Sequence, residues 1–184
     1  MLFNSAKIWK KNINTKYLLK KNMKPSEFKT VKGKKAWFIL PNFKCFVWKG
    51  YAYCKSREDA DNLNKNDEID SQLKSHETIH IRQAESTKNS WFRFYVRYLW
   101  DWIKNLPLIF VNFNAPYKFI PMELEAYLHQ DEWNYCTNGA VYEWKEFEKI
   151  SLKEKRKLAK EYYNSKPRPY FTHFLYEKLM RTNR

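Results

Sequence analysis

From Lys34 to Ser56 the apolar residues come in short blocks: Ala36 to Leu40, a break at Pro41 and Asn42, Phe43 to Trp48, then Gly50 and Tyr51 to Cys54. Aromatic and β-branched blocks punctuated by glycine and proline predict two or three short antiparallel strands. Residues 56 to 68 then turn polar, with Asp59, Asp61, Asn62, Asn64, Asn66 and Asp67, and are expected to form a solvated loop. They lack the glycine and closing glutamate of an EF-hand, so calcium is not indicated.

Further on the period becomes helical. A helix starting near Asn89 carries Arg93, Arg97, Asp101 and Lys104 on one face and Phe92, Val96, Leu99 and Ile103 on another. Four ionisable groups there are too costly for a bilayer core, so a soluble amphipathic helix with its aromatic residues in the domain core is expected. Peripheral membrane contact through Trp91, Trp100, Trp102 and the apolar run Leu106 to Phe113 is the less favoured alternative. A next helix is predicted from Pro121 to about Tyr135, stopping before Asn138 and Gly139. Two more follow over 151–164 and 172–180, split by Pro167, Arg168 and Pro169, the first opened by a Ser151/Glu154 capping box. Short strands followed by helices predict an α+β domain over 34–150, with a basic arm over 1–33 and a basic helical extension over 151–184.

Composition sharpens this division. The net charge of +15 is uneven: residues 1–49 hold 13 Lys against one acid, residues 50–150 hold 12 basic against 16 acidic groups, and residues 151–184 hold 10 against three. A Lys-rich arm over 1–49 is the footprint of a polyanion partner, nucleic acid or an anionic membrane, and it would equally dock an acidic assembly partner. No base-reading motif accompanies it. The first 24 residues lack the continuous apolar core of a secretory signal, so the chain is expected to stay in the cytoplasm, or in a virion if phage-encoded. Cys45, Cys54 and Cys136 are odd in number and show no C-x-x-C spacing, which predicts neither a disulfide framework nor a cysteine zinc site and fits a reducing compartment. Three glycines form no phosphate-binding loop, which argues against nucleotide chemistry.

The chemistry concentrates in His76-Glu77-Thr78-Ile79-His80. On a helix, His76 and His80 stand one turn apart on one face and can bite a single Zn2+, with Glu77 beside them to act on a water at the open position. Zinc lowers the pKa of such a water to about 7, so Glu77 could take its proton and pass it to a leaving amine. Two histidines leave the ion under-coordinated, and the acidic run Glu123-Leu124-Glu125-Ala126-Tyr127 offers a third ligand. Glu123 and Glu125 cannot both face the metal at a spacing of two. Glu125 and His129 share a face and form the rival ligand pair, expected otherwise to be a satisfied surface pair.

These two stretches resemble the gluzincin metallopeptidases, in which an HExxH helix is followed by a helix bearing E-x-x-A-[DN]. The segment His76 to Gln83 is similar to the HE-x-x-H-x-R-Q stretch of membrane-embedded sensor peptidases of the BlaR type and their Bacteroidetes-like relatives. The aromatic helical segment, the Asn114-Ala115-Pro116 turn and the acidic helix keep the family's order, within residues 70–130. The resemblance implies His76, His80 and Glu123 as zinc ligands, Glu77 as general base, a minimal zincin-like fold and a peptide or protein substrate. Tyr127 stands where the family places an Asp or Asn. Tyr127 or Tyr142 could donate to an oxyanion. The reading of another class is a catalytically silent zincin-like scaffold, a virion or nucleic-acid-associated component using its basic ends.

Overall fold

A small sheet precedes the helices, and its strands owe their pairing to a tight turn and a neighbouring helix. The computed structural model describes residues 23–37, 45–66, 68–137 and 142–181. Strands β1 (Lys32–Lys35), β2 (Cys45–Trp48) and β3 (Tyr51–Cys54) lie in the order β1-β3-β2. β2 and β3 form an antiparallel hairpin, Cys45 opposite Cys54, closed by Lys49 and Gly50 at φ of 49° and 76°. Two left-handed residues in a two-residue loop match the right-handed twist of the strands.

The sheet is mixed rather than antiparallel, because β1 runs parallel to β3 with Lys32 opposite Tyr51. Most of the predicted first strand, Phe38 to Leu40, lies outside the described residues, as do residues 1–22 of the basic arm. The predicted polar loop is also corrected, since Arg57–Asn64 is helix α1. Ser56 caps it by accepting from the Asp59 backbone N–H at 2.9 Å, Glu58 and Asp59 occupy its positive end, and Ala60 and Leu63 are buried. α1 lies directly on β1: a Cβ at Gly33 would come within 2.1 Å of the Ala60 carbonyl oxygen. The Asn64 amide brackets Gly33, accepting from its N–H at 3.1 Å and donating to its carbonyl at 2.8 Å, which satisfies the strand's outer edge.

The cysteine expectation is overturned as well. Cys45 and Cys54, facing each other across the hairpin, form a disulfide, leaving Cys136 free. Spacing in sequence could not show this, because the pair is made by strand register.

The helices that follow are α2 (Gln72–Ser86), α3 (Trp91–Asn105), α4 (Ala115–Lys118), α5 (Pro121–His129), α6 (Trp144–Phe147), α7 (Leu152–Asn164) and α8 (Phe171–Leu175). A 3-10 segment, Leu106–Phe110, continues α3, and one π turn, Tyr176–Met180, continues α8. The protein is therefore α+β and mainly helical. The Ser151/Glu154 capping box is present at the start of α7. α5 is shorter than predicted; the chain breaks into turns after Gln130 and returns Tyr135 to stack on His129 with ring centroids 3.9 Å apart.

Two apolar clusters meet along α5. One joins the sheet and α1 to α2 and α3 through Ala52, Leu63, Ile81, Phe94 and Met122, and the other joins α5, α7 and α8 through Leu124, Leu128, Tyr162 and Phe171. α3 is oriented against expectation. Its inward face is Trp91, Phe94, Asp101 and Asn105, whereas Phe92, Val96, Leu99 and Ile103 are exposed. Asp101 is accommodated inside because Arg97 Nε at 3.0 Å and Lys104 pair with it. Among the described residues no helix is long and apolar enough to cross a membrane.

Candidate metal centre

α2 starts at Ser71, whose hydroxyl accepts from the Lys74 N–H, and the buried Lys74 ammonium then clamps the preceding loop through Asn66 O at 2.9 Å and Asn66 Oδ1 at 2.8 Å. One turn further, Thr78 Oγ1 accepts from Val31 N–H at 3.3 Å and ties the helix to the chain entering β1. These contacts fix which face of α2 meets α5. That face carries His76 and His80.

α5 begins with Pro121 at its first position, where a missing N–H costs nothing, and puts Glu123 in its first turn. Glu123 is almost wholly buried, at 1% exposure, and points at both imidazoles. His76 Nε2 lies 3.4 Å from Glu123 Oε2, and His80 Nε2 lies 3.2 Å from Glu123 Oε1. One donor atom from each residue lies within 4.8 Å of the other two. A tetrahedral ion with bonds of about 2.1 Å separates its ligand atoms by roughly 3.4 Å, so these donors already stand at the edges of such a site.

The hydrogen bonding around the ligands fits a cation. Gln83 donates from Nε2 to Met122 O at 2.9 Å and to Glu125 Oε2 at 2.6 Å, which turns its amide oxygen toward His80. His80 Nδ1 lies 2.7 Å from that oxygen and must donate to it, leaving the Nε2 lone pair for a metal. Tyr98 donates to Glu123 Oε1 at 2.6 Å, while Glu123 Oε2 is buried without a hydrogen-bond donor. An orphaned carboxylate oxygen beside the His76 imidazole nitrogen is one that a metal would satisfy. Without one, His80 carries the compensating proton. Burial opposes its charge, but the Glu123 carboxylate more than offsets this and raises its pKa to about 9. Glu123 responds in reverse: burial disfavours its charge, and the charge of His80 together with the close approach of both imidazoles holds it well below the usual carboxylate range.

Glu77 is half-buried beside the ligands and forms part of the wall of a cavity of about 1120 Å³ with His76, Tyr117, Tyr127 and Trp102. Burial raises its carboxyl pKa, with the charge of Glu123 adding to the effect and the two histidines opposing it. Tyr127 meets His76 edge-on, ring centroids 4.7 Å apart, and burial followed by the charges of Glu123 and Glu77 keeps its hydroxyl protonated. Tyr142 does not line this cavity.

Glu125 and His129 are not brought to the ligands and are not a surface pair; both are buried. Glu125 accepts from Gln83, from Tyr135 O–H at 2.6 Å and from Glu143 N–H at 3.0 Å, so its oxygens are occupied. His129 sits between Glu143, 2.8 Å from Nε2, and Glu132, 3.0 Å from Nδ1. Sequence reasoning quoted Gln83 at the end of the His76 to Gln83 segment without giving it a role, and missed Tyr98 and Tyr117. Gln83 lies one turn beyond His80 on the histidine face, a spacing that could have flagged it; the two tyrosines arrive from α3 and α4 and carried no local signal. No protein-family model, curated protein or solved structure matches this chain.

Proposed function

We propose that this chain is a zinc metallopeptidase of the gluzincin type, a reading carried by the convergence of His76, His80 and Glu123 on one another, with His76 and Glu77 on the wall of an open cavity. His76, His80 and Glu123 would hold the ion, and zinc bound there would supply Lewis acidity toward a scissile carbonyl and a water. Gln83 keeps the His80 ring turned for binding, and Tyr98 fixes the Glu123 carboxylate through the oxygen nearer His80, leaving the other directed at His76.

Glu77 takes a proton from the attacking water as the C–O bond forms, then delivers it to the amide nitrogen as the C–N bond breaks. Its raised pKa suits both halves of that transfer, because a base nearer neutrality also becomes a usable acid. Tyr127, protonated and at the cavity wall, is the hydrogen-bond donor for the oxygen that develops charge. The cavity admits an extended peptide, with apolar walls at Trp102, Leu106 and Ile109.

The test combines metal content by elemental analysis with cleavage of a peptide library. Wild type should carry one zinc per chain, His76→Ala should lose it, and Glu77→Gln should keep it while cleavage falls by about 10²- to 10⁴-fold. Stoichiometric zinc with no cleavage of any peptide would transfer the site to the silent-scaffold reading; a chain that takes up no zinc would remove both.

A further inference from the structure

The outward face of α3 carries exposed apolar side chains and none of the candidate metal ligands. Phe92, Val96, Leu99, Ile103, Leu106 and Phe110 follow one another at alternating intervals of four and three residues, and all are exposed. Phe92 and Phe110 are 78% and 86% exposed, and Phe113 extends the stripe at 81%. Stripes of this length on a monomer surface mark a docking site.

Charge identifies the partner. Between Trp91 and Lys118 the sole acid is Asp101, which is turned inward and paired with Arg97 and Lys104, so the face presents apolar side chains flanked by Arg93 and Lys104. Residues 1–24 contribute seven Lys and no acid, and the first described residue, Met23, lies at this same face. Met23 lines a groove with Trp48, Phe92, Val96 and Leu99, and its carbonyl accepts from Trp91 Nε1 at 2.8 Å. A helical partner would need an unbroken seam, but Pro107 and the 3-10 segment from Leu106 to Phe110 change the winding halfway along. A lipid surface needs only an apolar face with cations beside it.

We propose that this face docks on an anionic lipid bilayer, with the aromatic stripe entering the headgroup region and the cations beside it, Arg93, Lys104 and Lys49 of the adjoining groove, meeting the surface charge. Leu106 and Phe113 belong both to the stripe and to the lining of the metal-site cavity, so docking sets the cavity mouth at the bilayer surface. The docking does not depend on the chemistry assigned to the centre.

The experiment is flotation of the full chain with vesicles of phosphatidylcholine alone or with phosphatidylglycerol added, for wild type and a Phe92→Ser/Phe110→Ser/Phe113→Ser variant. All three positions are exposed, and circular dichroism checks that the variant folds. Wild type should float with the anionic vesicles, less so at high salt, and the variant should bind at least about tenfold more weakly. No flotation by wild type, or equal flotation by the variant, overturns the proposal. So does a concentration-dependent dimer that the triple variant abolishes while vesicles capture neither protein, which would assign the face to a second copy.

Discussion

His80 Nδ1 lies 2.7 Å from the side-chain oxygen of Gln83, and the amide nitrogen of the same Gln83 is held 2.6 Å from Glu125. The ring of one ligand is thereby oriented through a glutamine by a buried carboxylate on the other ligand helix. This relay supplies orientation that Tyr127 cannot give. Gln83→Leu should weaken zinc binding by about 10- to 100-fold, the usual effect of removing a partner to a ligand imidazole, with little change in fold. Competition against a chelating dye measures it; unchanged affinity would mean the relay does not position His80.

Zinc affinity should depend on pH through the same histidine. In the metal-free protein His80 holds a proton up to about pH 9, and the ion must displace it. Affinity should therefore rise roughly tenfold per pH unit from 6.5 toward 9 and then level off. Titration by calorimetry in buffers of different ionisation enthalpy should count about one proton released near pH 7.5. A flat profile from 6.5 to 9 would contradict the His80–Glu123 pairing.

The metal-free fold should show the matching trend. The raised His80 pKa means its contribution to stability is fully present below about 6.5, the unfolded value, and lost as pH rises through about 9; the depressed Glu123 contributes above about 4.5 and is lost on acidification. Denaturant midpoints of the zinc-free protein should fall between pH 6.5 and 9, and Glu123→Gln should flatten that slope.

Much of the centre was legible because its parts are local. The HExxH spacing places two imidazoles on one helical face whatever the fold, and Pro121 with Glu123 marks a helix start in three residues. The orientation of α3 was not legible, since periodicity reveals that a helix has two faces and not which one the protein covers. Asp101 is buried as an ion pair with Arg97 and Lys104; the spacing of those partners is readable in sequence, but their turning the charged residue inward is not. Helix α1 was missed because its many Asp and Asn residues mimic a loop; Ser56 at the cap and Ala60 with Leu63 on one side outweigh them. The disulfide of Cys45 and Cys54 depends on register, and with it the argument for a reducing compartment from unpaired cysteines no longer applies.

Packing of α1 on the sheet gives a stability prediction away from the site. Gly33→Ala would push a methyl group into the Ala60 backbone, which cannot yield as a flexible side chain would. A loss of about 1–3 kcal/mol is expected, typical of overpacking, read as a lower urea midpoint with an unchanged slope.

Zinc binding by Glu123→Ala, compared with wild type by dialysis against a metal buffer followed by elemental analysis, bears most directly on the centre. The account predicts one zinc per wild-type chain and a loss of affinity of at least about 100-fold in the variant. Equal zinc retention by both proteins would show that the two histidines and this carboxylate do not form a common site.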